Sequence, residues 1–304
     1  AAGAADLIIA GGAESMSRTE YTVDADVRWG KKGGNMVFRD RLAEARETAG
    51  GKNHPIPGGM IETAENLREE YSIAREAQDE MAVESHRRAV AAQENGIFAE
   101  EIVSVEVPQR KGDPLVVDSD EHPRPDSTLE KLAKLRPIMG RQDADATVTA
   151  GNASGQNDGA AAMIVTTRAK AAELGLTPSV VLRGWAVAGV APETMGIGPV
   201  PATRKVLDRL GMTLDDIDHI ELNEAFAVQA LAVLHELELP EEITNVNGGA
   251  IALGHPLGCS GARILATLVH EMRRRRQAGE SMRYGLATLC VGVGQGEATV
   301  VELA

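Results

Sequence analysis

The sequence predicts a layered α/β fold, and three observations predict it. Strand-like and helix-like stretches alternate along most of the 304 residues. Aromatic residues are only 3% of the chain, so the core must rest on Ala, Val, Ile, Leu and Met, which favours close helix–sheet packing over a β-sandwich. "NDGAAAMIV" near 157–165 also resembles "GQGEATVVE" near 294–302, two glycine-led apolar strands that hint at two similar halves.

The elements follow in order. Ala1 to Ala5 look like a helix end, and "DLIIAGG" reads as a buried strand closed by Gly11 and Gly12. This opening has no initiator Met and starts as if inside a sheet, so an upstream part is expected. From Glu20 to Pro57 the chain is charged and glycine-rich without a clear period. "ETAENLREEY" predicts a helix, and a longer one follows from Ser72, read as its N-cap, to a stop at Gly96. "IVSVEVPQ" alternates like a strand, and Asp113 to Pro137 reads as an excursion over the surface. "ATVTAGNASGQNDGAAAMIVTT" combines a Gly- and Asn-rich loop with a buried strand, before the helix "RAKAAELG". The second half repeats this alternation. Strand "SVVLRGWAVAGV" and helix "PVPATRKVLDRLG" come first, then a short strand running into a helix in "IDHIELNEAFAVQALAVLHELEL". Helix "GARILATLVHEMRRRR" and strands "YGLATLCVG" and "EATVVEL" close the chain.

Charge and cysteine content narrow the class of function. A net charge of −14 disfavours nucleic acid and anionic membranes as partners, so an anionic ligand needs a local positive patch or helix N-termini. No stretch reaches the ~20 apolar residues of a membrane-spanning helix. Only Cys259 and Cys290 occur, which points to free thiols in a reducing cytoplasm.

Three polar residues stand at strand ends in the C-terminal half: Asn223 in "LNEAF", His255 in "LGHPLG" and Cys290 in "LCVGVGQG". Ligands of open α/β sheets collect beyond the carboxyl ends of strands. Read alone, His255 is either satisfied by its turn or functional, with the surrounding glycines favouring close approach of backbone or ligand. Cys290 is either a small buried residue or a thiol exposed in a glycine turn whose N–H groups favour the thiolate. Cys259, at a helix entry, reads as packing, and Arg273 to Arg276 as a solvated helix end that complements the dipole.

Taken together, "NEAFA" (223–227), "NVNGGAIALGHPLGCSGAR" (245–263) and "LATLCVGVGQG" (286–296) resemble the thiolase family, as do "AGGAESMS" (10–17), "TAEN" (63–66), "KLAKLRP" (131–137) and "VTAGNASGQNDGAAA" (148–162). The resemblance covers essentially the whole chain. It implies a five-layered α/β/α/β/α fold with two similar halves, residues 1–24 with 148–176 and residues 177–304, and a mostly helical, CoA-binding insertion over 25–147. It implies ping-pong acyl transfer on 3-oxoacyl-CoA, with coenzyme A and acyl-CoA as substrates, no permanently bound cofactor, and a homo-dimer or homo-tetramer.

By the same likeness, His255 takes the proton of a nucleophilic thiol, and Cys290 moves a proton at the α-carbon. Asn223 anchors a water that completes an oxyanion hole with His255, and the Gly292 N–H serves a second one. Ser154 and Ala150 meet the pantetheine arm; Met60, Met195 and Phe226 line the acyl tunnel; Arg124 stands near the CoA phosphates. Three departures accompany the match. The family's nucleophilic cysteine lies further upstream of the "AGG" motif than the nine residues preceding Ala10 allow. Gly59 stands where some acetoacetyl-CoA thiolases have His. Val293 replaces a glycine of "CxGGG", and the "GVGQG" pattern resembles thiolases acting on longer 3-oxoacyl-CoA or on 3-oxoadipyl-CoA. The absent nucleophile leaves a second reading open, a non-catalytic thiolase-like CoA-binding or scaffold protein. The intact His255, Cys290 and Asn223 speak against it. A ketoacyl synthase shares the fold but uses a Cys-His-His set, which "NEAF" and Cys290 disfavour.

Overall fold

The computed structural model describes residue 3 and residues 5–44 and 58–304. The expected helix end at Ala1–Ala5 falls largely outside the described residues, as does the 45–57 part of the aperiodic stretch.

Strand β1 (Leu7–Ser15) opens the fold. Two short strands, β2 (Tyr21–Thr22) and β3 (Arg39–Asp40), pair antiparallel and lead into the single turn α1 (Arg41–Glu44). Helix α2 (Met60–Tyr71) starts where the Gly59 N–H donates to the Glu62 carboxylate at 2.8 Å. It ends with Ser72 in the left-handed region at φ 53°. Ser72 therefore closes α2 and does not cap the next helix; Ala74 precedes α3 (Arg75–Glu94), and Gly96 at φ 69° carries the chain out of it. The alternating "IVSVEVPQ" yields only the strand β4 (Val105–Val107), paired with β5 (Leu115–Val117) in an exposed hairpin. Helix α4 (Leu129–Ala133) is capped by the Thr128 hydroxyl.

The "GNASG" loop then enters β6 (Asp158–Thr166), followed by α5 (Arg168–Glu173), β7 (Val180–Gly189) and α6 (Pro199–Leu210), which has proline at its first position and Gly211 in the left-handed region at its end. Strand β8 (His219–Leu222), helix α7 (Ala227–Leu237), the turn α8 (Ala250–Leu253), the long α9 (Leu257–Gln277), β9 (Tyr284–Val291) and β10 (Gln295–Leu303) complete the chain.

Two sheets sandwich α9. One holds β1 and β6, antiparallel; the other has the order β7-β10-β9-β8, with β8 and β9 parallel and the remaining pairs antiparallel. Side-chain alternation decides which layer each residue serves. Ile220, Leu222, Leu286, Ala298 and Val300 face α6 and α7, where Val206, Val233 and Leu237 meet them. Ala287, Val301 and Leu303 face the opposite way, onto Ile264, Leu268 and Met272 of α9.

The first sheet corrects an expectation. The sequence predicts buried strands for both β1 and β6, yet Ile9 is 76% exposed and Ile164 60%. Among the described residues α9 covers only one face of this pair, and each strand has a single neighbour.

Candidate active site

Parallel neighbours β8 and β9 end side by side and set the site. Leu222 is level with Thr288, and the next residue, Asn223, donates its N–H to the Thr288 carbonyl at 3.0 Å. Two residues beyond Thr288 on the same face stands Cys290. Both lie at carboxyl ends of strands, where an open α/β sheet gathers ligands.

His255 reaches them from the turn between α8 and α9. Gly254 adopts φ 94°, and Asn157 fills the place where a side chain would stand. The Asn157 Oδ1 accepts the His255 N–H at 3.2 Å. The glycines of this stretch thus serve contacts within the protein: Gly258 lies so close to Gly12 and Ala13 of β1 that neither Gly12 nor Gly258 could carry a methyl group.

The imidazole is oriented by Ser260 in the first turn of α9. The Ser260 hydroxyl donates to the Pro256 carbonyl at 3.0 Å and stands 2.6 Å from His255 Nδ1. With its proton committed to Pro256, that hydroxyl accepts from an Nδ1–H. The lone pair is then left on Nε2, which lies 3.4 Å from Asn223 Nδ2. Burial, aided by the Arg263 cation, holds the His255 pKa down to about 4. The ring is therefore neutral near pH 7, with Nε2 ready to take a proton.

Cys290 is the opposite case. It is 6% exposed and packs with Met195 and Ala225, against which Met60 and Phe226 lie. Burial pushes its thiol up to about 12. Of the two readings of Cys290 the structure carries the small buried residue, because Cys290 still belongs to β9 and its side chain points into this apolar cluster. The turn proper comes after it, with Gly292 exposed and Val293 at φ 73°, an unusual conformation for a β-branched residue. Cys259 is buried as well, its thiol raised first by desolvation, which agrees with a packing role.

The fold thus brings Asn223, His255, Cys290, Met60, Met195 and Phe226 to one place. Ser154 joins them through its hydroxyl, which donates to the Ala225 carbonyl at 2.9 Å, while Ala153 bridges Phe226. Ala150 and Arg124 stand exposed. The Arg124 N–H donates to His86 Nδ1 at 3.2 Å, and its guanidinium makes no ion pair among the described residues. His86 stacks on His122 and is held at about 4, first by burial. His122 Nδ1 donates in turn to the Ala252 carbonyl at 2.8 Å, three residues before His255.

Sequence reading passes over Ser260 and Asn157. Ser260 has a readable signal, a hydroxyl in the first turn of a helix directly after the histidine. Asn157 gives none, being distant in sequence from the histidine whose backbone N–H it holds.

A neutral imidazole beside an amide, and a protonated thiol at the neighbouring strand end packed among Met60, Met195 and Phe226, form an α/β site whose groups can exchange protons. The comparisons with known proteins agree. Residues 1–169 match the thiolase N-terminal domain and residues 176–303 the thiolase C-terminal domain. The chain is 50% identical to a probable acetyl-CoA acyltransferase of Staphylococcus epidermidis, over 99% of this chain and 73% of the relative. It is also 50% identical to a beta-ketoadipyl-CoA thiolase of Pseudomonas aeruginosa, with the same shares covered. Among solved structures it resembles the Bacillus anthracis acetyl-CoA acetyltransferase, with TM-score 0.91 and 45% identity over 99% of this chain and 73% of that one. It likewise resembles human mitochondrial 3-ketoacyl-CoA thiolase in complex with CoA, with TM-score 0.88 and 42% identity over 98% and 71%. The chain belongs to the thiolase family, with the thiolase-like α/β fold and thiolase-type acyl transfer as its activity.

Proposed function

We propose that this chain supplies the base, the acid and the oxyanion contacts of a reaction that cleaves 3-oxoacyl-CoA with coenzyme A, or runs the reverse. One observation carries the reading: the adjacent ends of β8 and β9 carry Asn223, with the His255 ring held low beside it, and Cys290, with its thiol held high. Titratable groups whose surroundings push their pKa values apart mark the base and the acid. His255 Nε2 takes the proton of an attacking thiol as its sulfur bonds to the substrate carbonyl. When the carbon–carbon bond breaks, its electron pair passes to the α-carbon, and the Cys290 thiol protonates that carbon. The resting protonation states suit this cleavage direction. In synthesis the same two groups run in reverse.

Asn223 anchors a water that, with His255 Nε2, stabilises the thioester oxyanion, and the Gly292 N–H serves the second oxyanion. The pantetheine arm runs past Ser154 and Ala150, and the acyl chain lies along Met60, Met195 and Phe226. Arg124, exposed and without an ion pair among the described residues, takes the phosphates. Residues 25–147 act as the CoA-binding insertion between an N-terminal half (1–24 and 148–176) and a C-terminal half (177–304); Met60 on the Cys290 cluster and His122 on the histidine loop support this division. Neither cysteine of the sequence accepts the acyl group, since both are buried with thiols raised by desolvation. Large exposed apolar side chains such as Trp29 and Phe38 support assembly into a homo-dimer or homo-tetramer. Two free cysteines support a reducing cytoplasm, and a role in fatty acid metabolism follows from the substrate class.

The test is thiolysis of acetoacetyl-CoA by the enzyme. Cys290→Ser and His255→Ala are each expected to lose at least ~10²-fold in kcat, the scale of general acid–base catalysis. The wild-type kcat/KM is expected to fall on the acid side as His255 takes up its proton near pH 4. Near-normal turnover in either variant overturns the assignment. Incubation with acetoacetyl-CoA, with no free CoA added, is expected to leave no acyl adduct on Cys259 or Cys290 by mass spectrometry.

A further inference from the structure

Glu224 follows Asn223 directly and is buried, yet the roles above leave it without work. Its carboxylate is occupied by protein donors from three directions. Oε2 accepts the Ser85 hydroxyl at 2.7 Å and the Ile251 N–H at 3.3 Å, and Oε1 accepts Asn245 Nδ2 at 2.8 Å. Ser85 lies on α3 and also accepts the Gly249 N–H at 3.1 Å. Asn245, at φ 47°, exchanges hydrogen bonds with both the N–H and the carbonyl of Leu222, the last residue of β8.

The glycine pair before α8 fits around this carboxylate. A methyl group on Gly249 would occupy the space of the Glu224 carboxyl, and one on Gly248 would press into the Ser85 carbonyl and Ala89. The two glycines therefore let the chain that ends in His255 close around Glu224. Burial raises the carboxyl's pKa, but every group facing its oxygens is a donor, so the arrangement is that of a carboxylate.

We infer that Glu224 is a positioning residue for the reaction: by joining the Asn223 turn, the segment leading to His255 and helix α3, it sets the 3.4 Å spacing of the Asn223 amide and His255 imidazole. It touches no reacting atom, because its oxygens are filled. Its partner Ser85 makes the seating of α3, and with it the insertion, a condition for a correctly spaced site. This rests on the reading of Asn223 and His255 as reacting groups.

The experiment is a pair of variants and their combination, assayed in thiolysis of acetoacetyl-CoA with free CoA, alongside thermal unfolding. Glu224→Gln turns one acceptor into a donor against Ser85, Ile251 or Asn245. It is expected to lower kcat ~10²-fold, the cost of a misplacement of about 1 Å, with KM changed less than ~3-fold. Ser85→Ala removes the hydrogen bonds to Glu224 and from the Gly249 N–H and is expected to lower kcat ~10-fold. The double variant is expected to be no worse than Glu224→Gln alone, since residues acting as a unit are not additive. Unchanged kcat in Ser85→Ala, a change confined to KM, or multiplicative losses overturns the inference. If Glu224→Gln does not fold, Ser85→Ala decides by the same criteria. His255→Ala separates the levels: if it stays active, the reading of the site has failed. If it is inactive while Ser85→Ala is normal, only the role of Glu224 has failed.

Discussion

Strands β6 and β10 share a sequence pattern and differ in fate. Each begins with glycine and small residues and runs into apolar ones. Strand β10 lies between β7 and β9, with helices on both faces, and Ala298, Val300 and Val301 are buried. Strand β6 pairs with β1 alone among the described residues, and from Asp158 to Ile164 its exposed and half-buried residues alternate, the half-buried ones there being Gly159, Ala161 and Met163. An apolar strand is thus legible in a sequence, but whether it is buried is decided by how many neighbours the fold gives it. The chemistry follows the buried sheet. Asn223 and Cys290 leave its strands, and it is desolvation there that separates the pKa values of His255 and Cys290.

The comparison breaks most directly in stability measurements. Leu268 is fully buried between α9 and the four-stranded sheet, so Leu268→Ala is expected to cost about 2–5 kcal/mol in denaturant unfolding. Ile9→Ala on the exposed face of β1 is expected to stay within about 0.5 kcal/mol. Equal costs would show that the two sheets contribute alike and sink the distinction.

Glu101 sharpens it. Its carboxyl is pushed up to about 7, first by desolvation; Arg263 opposes this, Glu221 and Asp120 add to it, and the Thr267 hydroxyl donates to it at 3.2 Å. The folded state holds this proton over a range where the unfolded chain has released it. The associated stability is full below about pH 4.5 and is lost as pH rises toward and past about 7, with a slope of about 1.4 kcal/mol per pH between those limits. Glu101→Gln is therefore expected to unfold at higher temperature than wild type at pH 8, with the gap closing at pH 5. A gap that grows toward acid pH would refute the sign.

The smallest effect belongs to Val293 at φ 73°, a conformation costly for a β-branched side chain. Val293→Gly relieves that strain but loosens the unfolded chain, so a net gain of up to about 1 kcal/mol is expected. Destabilisation on thermal melting would mean that the valine side chain makes contacts worth more than the strain.

Much of the site is legible in the sequence because its chemistry is local. "NEAF", "GHP" and the cysteine after "LATL" each place one functional side chain at the end of a strand or the start of a helix, and the structure brings all three together. The misread parts are those in which a remote contact decides. Ser72 has the chemistry of an N-cap, yet the preceding helix takes it as a left-handed terminator. The two readings left open for Cys290 are decided in the same way, since the strand's alternation turns its thiol away from the neighbouring glycines and into Met195 and Ala225. The glycines around His255 read as room for a ligand, and Asn157 and β1 fill that room.

The sequence by itself determined the order of strands and helices and the thiolase likeness, which implies the roles proposed for His255, Cys290 and Asn223, because periodicity and short motifs are properties of neighbouring residues. Only the tertiary structure decided which strands are buried, which imidazole nitrogen carries the lone pair, and how Glu224 is filled. Each of those depends on side chains far apart in sequence, such as Ser85 and Glu224 or Asn157 and His255, and on the water that their packing excludes. Desolvation belongs to an assembled interior, and no single segment carries it.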